Sequence, residues 1–231
     1  MLRAIIFDFN GIIVDDEPLH FRSMRDAVAP LGVSLSMEEY WTRYLPLDNK
    51  DCLSAICKDY GVELSEYKRA QILQEISRLY HLMIEDTCPL FAGAAKLVRS
   101  AATRYPLAIA SGALRADIEK ILKTSNLESS FKIVVGAEDF ILGKPNPESY
   151  LLALERLNQT LNGHGPEIEP RQALVIEDSI AGVRGARAAN MICLAVSNSY
   201  PAERLVDAHR VVGSLEEVDF DELENLFRDC P

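Results

Sequence analysis

The chain is short of positive charge. Its 231 residues include 24 lysines and arginines against 35 aspartates and glutamates, a net charge of −11. A phosphate backbone needs a basic face, so nucleic acid is not an expected partner. Small anionic substrates remain open, because a local cationic pocket can sit in an acidic protein. The five cysteines, Cys52, Cys57, Cys88, Cys193 and Cys230, are odd in number, and no pair has C-x-x-C spacing. A disulfide framework is therefore not expected, and a reducing, cytoplasmic location is the simplest reading. No apolar run approaches the length of a membrane span, so no membrane partner is expected. The short apolar start, broken by Asp8, does not read as a signal peptide. Internal repeats and low-complexity segments are absent. What remains is a globular protein that handles small molecules, expected as a monomer or weak homodimer.

What is present is a series of short apolar runs at 4–9, 107–110, 133–135, 173–176, 192–196 and 210–212. They carry Ile and Val without polar alternation, as strands covered on both faces do. Helical patterns at 94–103, 115–124, 147–157 and 180–189 lie between them. The alternation predicts an α/β fold: a Rossmann-like parallel sheet core with helices on both faces. Right-handed crossovers would put all strand C-termini on one edge, where such sheets bind ligands. Between the first two strands about seventy residues show only helical patterns, at 20–31, 37–45, 51–60 and 66–84. That is too long for a connecting loop. It predicts an inserted all-helical cap domain over 15–88, with the core formed by 1–14 and 89–231. Hinges are expected at 14–18 and 88–92, punctuated by Pro18 and Pro89. Ser36 is placed to cap the second cap helix, with Glu39 three residues on. The polar segment 158–170 is expected to be an exposed loop.

Four strand ends carry groups with chemistry. Asp8, in Ile5-Ile6-Phe7-Asp8-Phe9-Asn10-Gly11, could be a nucleophile, a metal ligand or both. It could also merely cap a turn. Ser111 and the amides near Gly112 precede a helix and suit a phosphoryl oxygen, although strand–Ser–Gly–helix is common turn chemistry. Lys144 lies in Gly143-Lys144-Pro145-Asn146-Pro147-Glu148. Its prolines stiffen the backbone, and a fixed ammonium can neutralise a transferring phosphoryl group. Glu177 and Asp178 end another strand as a carboxylate pair. Hard oxygen ligands there suit Mg²⁺, while helix capping by Asp178 is the plainer alternative. Gly182, Gly185 and Ala186 read as helix–sheet packing.

Taken in order, the four motifs resemble the haloacid dehalogenase-like superfamily. The likeness is to the branch with a helical cap that includes β-phosphoglucomutase and phosphoglycolate phosphatase. The segments FDFNGIIVDDEPLH, GKPNPESY and IEDSIAGVRGARAA carry it. The resemblance implies Mg²⁺-dependent phosphoryl transfer from a small phosphorylated metabolite through an aspartyl-phosphate on Asp8. It implies that Mg²⁺ is held by Asp8, the carbonyl of Asn10 and Asp178, with Glu177 in or beside the shell. Ser111 and Lys144 would grip the phosphoryl group.

The family's acid/base aspartate is Asn10 here. A carboxamide cannot give and take a proton as a carboxylic acid does, so impaired turnover is expected. A phosphatase is the leading expectation. A phosphosugar mutase, a non-catalytic phosphometabolite-binding protein and a phosphonatase or dehalogenase are the alternatives. A phosphonatase would need a Schiff-base lysine, for which Lys50, Lys58 and Lys68 are available. Among cap residues, Glu17, His20, Arg43 and Lys50 are candidates to face substrate, His20 and Lys50 foremost. Met37, Trp41, Leu45 and Leu53 are expected in the cap core.

Overall fold

The computed structural model describes residues 1–45, 47, 49–86, 89–161 and 165–229. Six strands, β1 Ala4–Phe7, β2 Leu107–Ala110, β3 Phe131–Val135, β4 Ala173–Glu177, β5 Ile192–Val196 and β6 Arg210–Val212, form one sheet in the order β3-β2-β1-β4-β5-β6. Every neighbouring pair is parallel. Strands β1, β2, β4 and β5 are buried along their whole length, which is why they read as unbroken apolar runs. From central β1 the chain winds outward to β2 and β3 on one side and to β4, β5 and β6 on the other. The crevice between β1 and β4 is therefore the topological switch point, the place where sheets of this kind take ligands.

The chain divides into two compact units, Met1–Asp15 with Pro89–Pro231, and Asp16–Cys88. The second contains α1 Glu17–Val28, the short α2 Met37–Glu39, α3 Asn49–Asp59 and α4 Glu66–Asp86. Its core gathers Phe21, Met24, Val28, Leu53, Ile56 and Ile76. Ser36 caps α2 by accepting the Glu39 amide at 3.1 Å. The Glu39 carboxylate does not reciprocate; it accepts from Arg43 and from the Tyr60 hydroxyl instead. A π-helical turn, Tyr40–Tyr44, follows α2. Its extra residue turns both Tyr40 and Tyr44 inward and leaves Trp41 outside. Trp41, expected in the core, is 37% exposed against the edges of Phe21 and Tyr40, and Met37 is more exposed still. Leu53 is fully buried and Leu45 half-buried.

The first unit adds α5 Ala94–Ala102, α6 Arg115–Thr124, α7 Glu148–Thr160, α8 Ile180–Ala188 and α9 Phe220–Asp229. The amphipathic α9 was not anticipated, although Phe220, Leu223 and Phe227 recur at helical spacing. Segment 158–170 differs from the expected exposed loop. It begins as the end of α7, and the Asn158 side chain clamps both backbone groups of Ile168 at 2.9 Å, burying it. Gly163 in that segment lies outside the described residues, as do Cys230 and the expected hinge residue Cys88. The two chain crossings run side by side: the Asp15 amide donates to the Pro89 carbonyl at 2.7 Å, and that of Phe91 to Ile13 at 3.1 Å. Among the described residues no helix is long and apolar enough to cross a membrane.

Candidate active site

Strand β1 stops at Phe7 because the next residues turn away. The Asp8 amide still reaches the Ile176 carbonyl at 2.9 Å, but the Phe9 carbonyl then accepts from Ile12, Ile13 and Val14. Gly11 supports that turn with φ +78°. The Asp8 carboxylate is thereby left at the mouth of the β1–β4 crevice, only 8% exposed. The Lys144 ammonium lies between two carboxylates, 2.8 Å from Asp8 and 2.6 Å from Glu177. The lysine loop is held from behind: Glu148 accepts the amides of Ile141 and Leu142, and Asn146 accepts that of Glu148.

Glu177 and Asp178 are neighbours in sequence and differ in environment. Glu177 is fully buried. One oxygen accepts from Lys144 and from the Tyr150 hydroxyl; the other accepts the amides of Asp178 and Ser179 and the Ser179 hydroxyl. Five donors saturate a carboxylate's lone pairs. Gly182 makes this possible, since a Cβ there would lie 1.7 Å from a Glu177 oxygen. Asp178 instead takes one side-chain hydrogen bond, from the Ser199 hydroxyl. It faces Gly11, where a Cβ would come within 2.0 Å of its oxygen. The Asn198 side chain ties the Gly11 carbonyl to the β5 side at 2.7 Å. Helix α8 is capped by Ser179, which accepts the Gly182 amide at 2.9 Å. Asp178 is thus free of the capping role that was its plainer reading.

The electrostatics follow from burial. Burial raises the Glu177 carboxyl, but the charge and hydrogen bond of Lys144 outweigh it and carry the group down to about 2. Burial and the Glu177 charge push Asp178 up to about 7. Asp8 is raised by burial and by Glu177 and Asp178, against the pull of Lys144. Lys144 itself is held above the ordinary lysine range, because Asp8 and Glu177 overcome its own burial. With all three carboxylates ionised around one ammonium, an excess of about two negative charges would be left, which is costly when desolvated. Oxygens of Asp8, Glu177 and Asp178 lie within 4.8 Å of one another. An all-oxygen set lacking two positive charges fits a hard divalent cation such as Mg²⁺ rather than a thiophilic or imidazole-seeking metal.

The remaining expected site residues are more dispersed. Ser111 is buried one residue past β2, and its hydroxyl accepts the Ala113 amide at 3.1 Å. Gly112 is exposed, with open space where a Cβ would be. Asn10 is half-buried and forms a bridge with Val14. His20 and Lys50 belong to the helical unit. His20 stacks on Tyr80 and sits 3.2 Å from Asp16, which also accepts the Tyr80 hydroxyl. Lys50 is exposed on α3. Glu17 accepts from Tyr40, and Arg43 is spent on Glu39 and Asp59. Tyr150, Ser179, Ser199 and Asn198 were not foreseen. Tyr150 closes the GKPNPESY segment, so its place there was the available signal.

A model of the haloacid dehalogenase-like hydrolases matches residues 2–190. The chain belongs to that family. It is 28% identical over 192 residues to the phosphorylated carbohydrates phosphatase of Thermotoga maritima, covering 82% of each chain. It is 29% identical over 199 residues to hexitol phosphatase B of Escherichia coli K12, covering 84% of this chain and 83% of the other. Among solved structures, a putative β-phosphoglucomutase from Thermotoga maritima superposes with a TM-score of 0.79 at 24% identity, covering 97% and 99% of the two chains. An aspartate-to-asparagine mutant of CbbY from Rhodobacter sphaeroides, in complex with xylulose-(1,5)bisphosphate, gives 0.76 at 24% identity over 94% and 96%. At those identities the structures speak for the fold. The haloacid dehalogenase-like chain is thus a hydrolase on a Rossmann-like α/β scaffold.

Proposed function

We propose that this hydrolase is a Mg²⁺-dependent phosphatase of small phosphorylated sugars, acting through an aspartyl-phosphate on Asp8. The observation that carries the reading is the buried Asp8–Lys144 pair, 2.8 Å apart at the sheet's switch point beside Asp178. The names of the sequence relatives, a carbohydrate phosphatase and a hexitol phosphatase, support the substrate class.

An oxygen of Asp8 attacks phosphorus, the bond from phosphorus to the ester oxygen breaks, and the sugar leaves as an alkoxide that takes up a proton. Water then attacks the phosphorus of the acyl phosphate, returning the Asp8 carboxylate and releasing inorganic phosphate. Lys144 screens the charge on the incoming phosphoryl group, and Glu177 with Tyr150 fixes where its ammonium sits. Ser111 is assigned the phosphoryl oxygens on the β2 side, with the exposed Gly112 amide beside it. Asp8, Asp178 and the Asn10 carbonyl would hold Mg²⁺, which supplies charge neutralisation for the substrate phosphate. Glu177, already saturated, stands behind that shell and acts through Lys144. The helical unit is assigned the choice of sugar and the exclusion of water, with His20 and Lys50 as its first candidates.

Asn10 cannot protonate the leaving oxygen, so turnover is slowed by about 10²–10⁴-fold relative to an aspartate. The same residue favours a second reading, a phosphometabolite-binding protein without turnover. Phosphate release from a panel of sugar phosphates, with and without Mg²⁺, separates the two for the native chain, Asn10→Asp and Asp8→Ala. Release by the native chain above the Asp8→Ala background supports the phosphatase. Tight binding with release only from Asn10→Asp supports the binder. Equal release from all three sinks the assignment of Asp8.

A further inference from the structure

The opposite end of the sheet holds a second polar cavity. It measures about 580 Å³ and is lined by Arg171, Gln172, Arg187, Asn190 and His209, with Phe227 of α9 among its apolar neighbours. Gln172 precedes β4, Asn190 precedes β5 and His209 precedes β6. The cavity thus lies at the N-terminal edge of strands whose C-terminal ends carry Glu177 and Asp178. A five-residue strand at about 3.3 Å per residue separates the two by about 16 Å. Among the described residues no carboxylate lines it, although the chain as a whole carries a net charge of −11.

Its centre is rich in hydrogen-bond donors. The backbone amide of Cys193 donates to Nδ1 of His209 at 2.9 Å. That bond fixes the tautomer: the lone pair is on Nδ1, and the neutral ring carries its proton on Nε2. Yet Nε2 is the atom that the Arg187 guanidinium meets. Both groups are donors, and among the described residues neither has a carboxylate or carbonyl acceptor. Among the described residues Arg187 has no carboxylate within ion-pair distance. It lies in the last turn of α8, where the helix dipole offers it a partial negative charge but no side-chain acceptor. Arg171 is paired, at 2.7 Å, with the exposed Glu169 on the rim.

We propose that this cavity is a binding site for a small oxyanion, phosphate or the phosphate of a phosphomonoester, held by Arg187 and the Nε2–H of His209. An anion oxygen would accept from the Arg187 guanidinium and from the Nε2–H of His209, the two side chains parting to admit it. Gln172 and Asn190 offer further amide donors, and Arg171 a second guanidinium. The volume leaves room for an organic group beside Phe227. The site is distinct from the catalytic edge and does not depend on the activity assigned there.

The test is a titration of the ¹⁵N-labelled full chain with inorganic phosphate, and separately with glycerol phosphate, followed at the Cys193 amide and the His209 ring. Both probes can also enter the catalytic edge, so the Ser111 and Gly112 amides serve as an internal control. Saturable shifts at Cys193 and His209 are expected, with affinity weakened roughly tenfold in Arg187→Gln, as loss of a charge-assisted contact implies. Arg187 is exposed, so the variant should fold, and unchanged Ser111 and Gly112 responses will show that it does. Partial rescue by Arg187→Lys supports a charge-based site. A glycerol phosphate response as strong as that of phosphate identifies an ester site; a response to phosphate alone identifies a free-anion site. Absence of saturation at Cys193 and His209, or equal affinity in Arg187→Gln, overturns the proposal.

Discussion

At the C-terminal ends of β1 and β4, Asp8, Glu177 and Asp178 bring three carboxylates around one ammonium. At the N-terminal ends of β4, β5 and β6, Arg171, Arg187 and His209 line a cavity to which no carboxylate among the described residues contributes. One parallel sheet thus gathers opposite charge at its two edges. The acidic edge is highly organised, with Glu177 accepting five donors and glycines cleared from its path. At the cationic edge Arg187 and His209 have no carboxylate acceptor among the described residues. The difference teaches that net charge, −11 here, says little about a particular cavity. Each edge is predicted to be completed by a charge of the opposite sign.

The largest test of the acidic edge is Asp8→Ala. It should lower phosphate release by more than about 10³-fold, as loss of a nucleophile does, while the protein stays folded. An active Asp8→Ala protein would break the comparison at its root. Next is Asn10→Asp, expected to raise release by about 10²–10⁴-fold if a general acid is all that position lacks. An unchanged rate would mean that another group already supplies the proton.

Three substitutions probe the contrast within the acidic edge itself. Glu177→Gln should cost about 3 kcal/mol in urea unfolding, because it removes the charge that Lys144 faces and replaces one of the two oxygens that accept the five donors. Asp178→Asn should cost little in the absence of Mg²⁺, since it removes a buried charge that the site disfavours, and should weaken Mg²⁺ binding. Equal losses would mean that the two carboxylates share one role. Gly182→Ala should destabilise by about 1–3 kcal/mol through the clash of its Cβ with Glu177.

The smallest effect belongs to the cationic edge. Burial and then the Arg187 charge hold His209 below the ordinary imidazole range. A depressed histidine contributes stability that is complete above the unfolded value, about 6.5. That contribution is lost as pH falls through the lower folded value. The melting temperature should therefore fall more between pH 7.5 and 5 in the native chain than in His209→Gln. Identical slopes would show that burial and the Arg187 charge do not hold the ring neutral.

Most of the core was legible because buried parallel strands are simple sentences. Strands β2, β5 and β6 lie where the apolar runs put them, and Asp8, Ser111, Lys144 and the Glu177–Asp178 pair stand at or just beyond strand ends or in a proline-braced turn. The misplaced residues have physical reasons. Trp41 and Met37 looked like core by composition, but a π turn rotated the face. Ile168 looked like loop, and a single asparagine side chain buried it.

The sequence by itself determined the fold class and the order of the reactive groups, because apolar periodicity and turn residues act locally. It also placed Asn10 two residues after Asp8, the position at which the family resemblance implies an acid/base aspartate. Which partners each carboxylate meets came only from the tertiary structure. Glu177 and Asp178 are adjacent, and the strand's alternation sends them to different surroundings. One meets Lys144, Tyr150 and two backbone amides, while the other meets Gly11 and Ser199. Those partners lie up to 167 positions away in the chain, and no local pattern records which of them a side chain will meet.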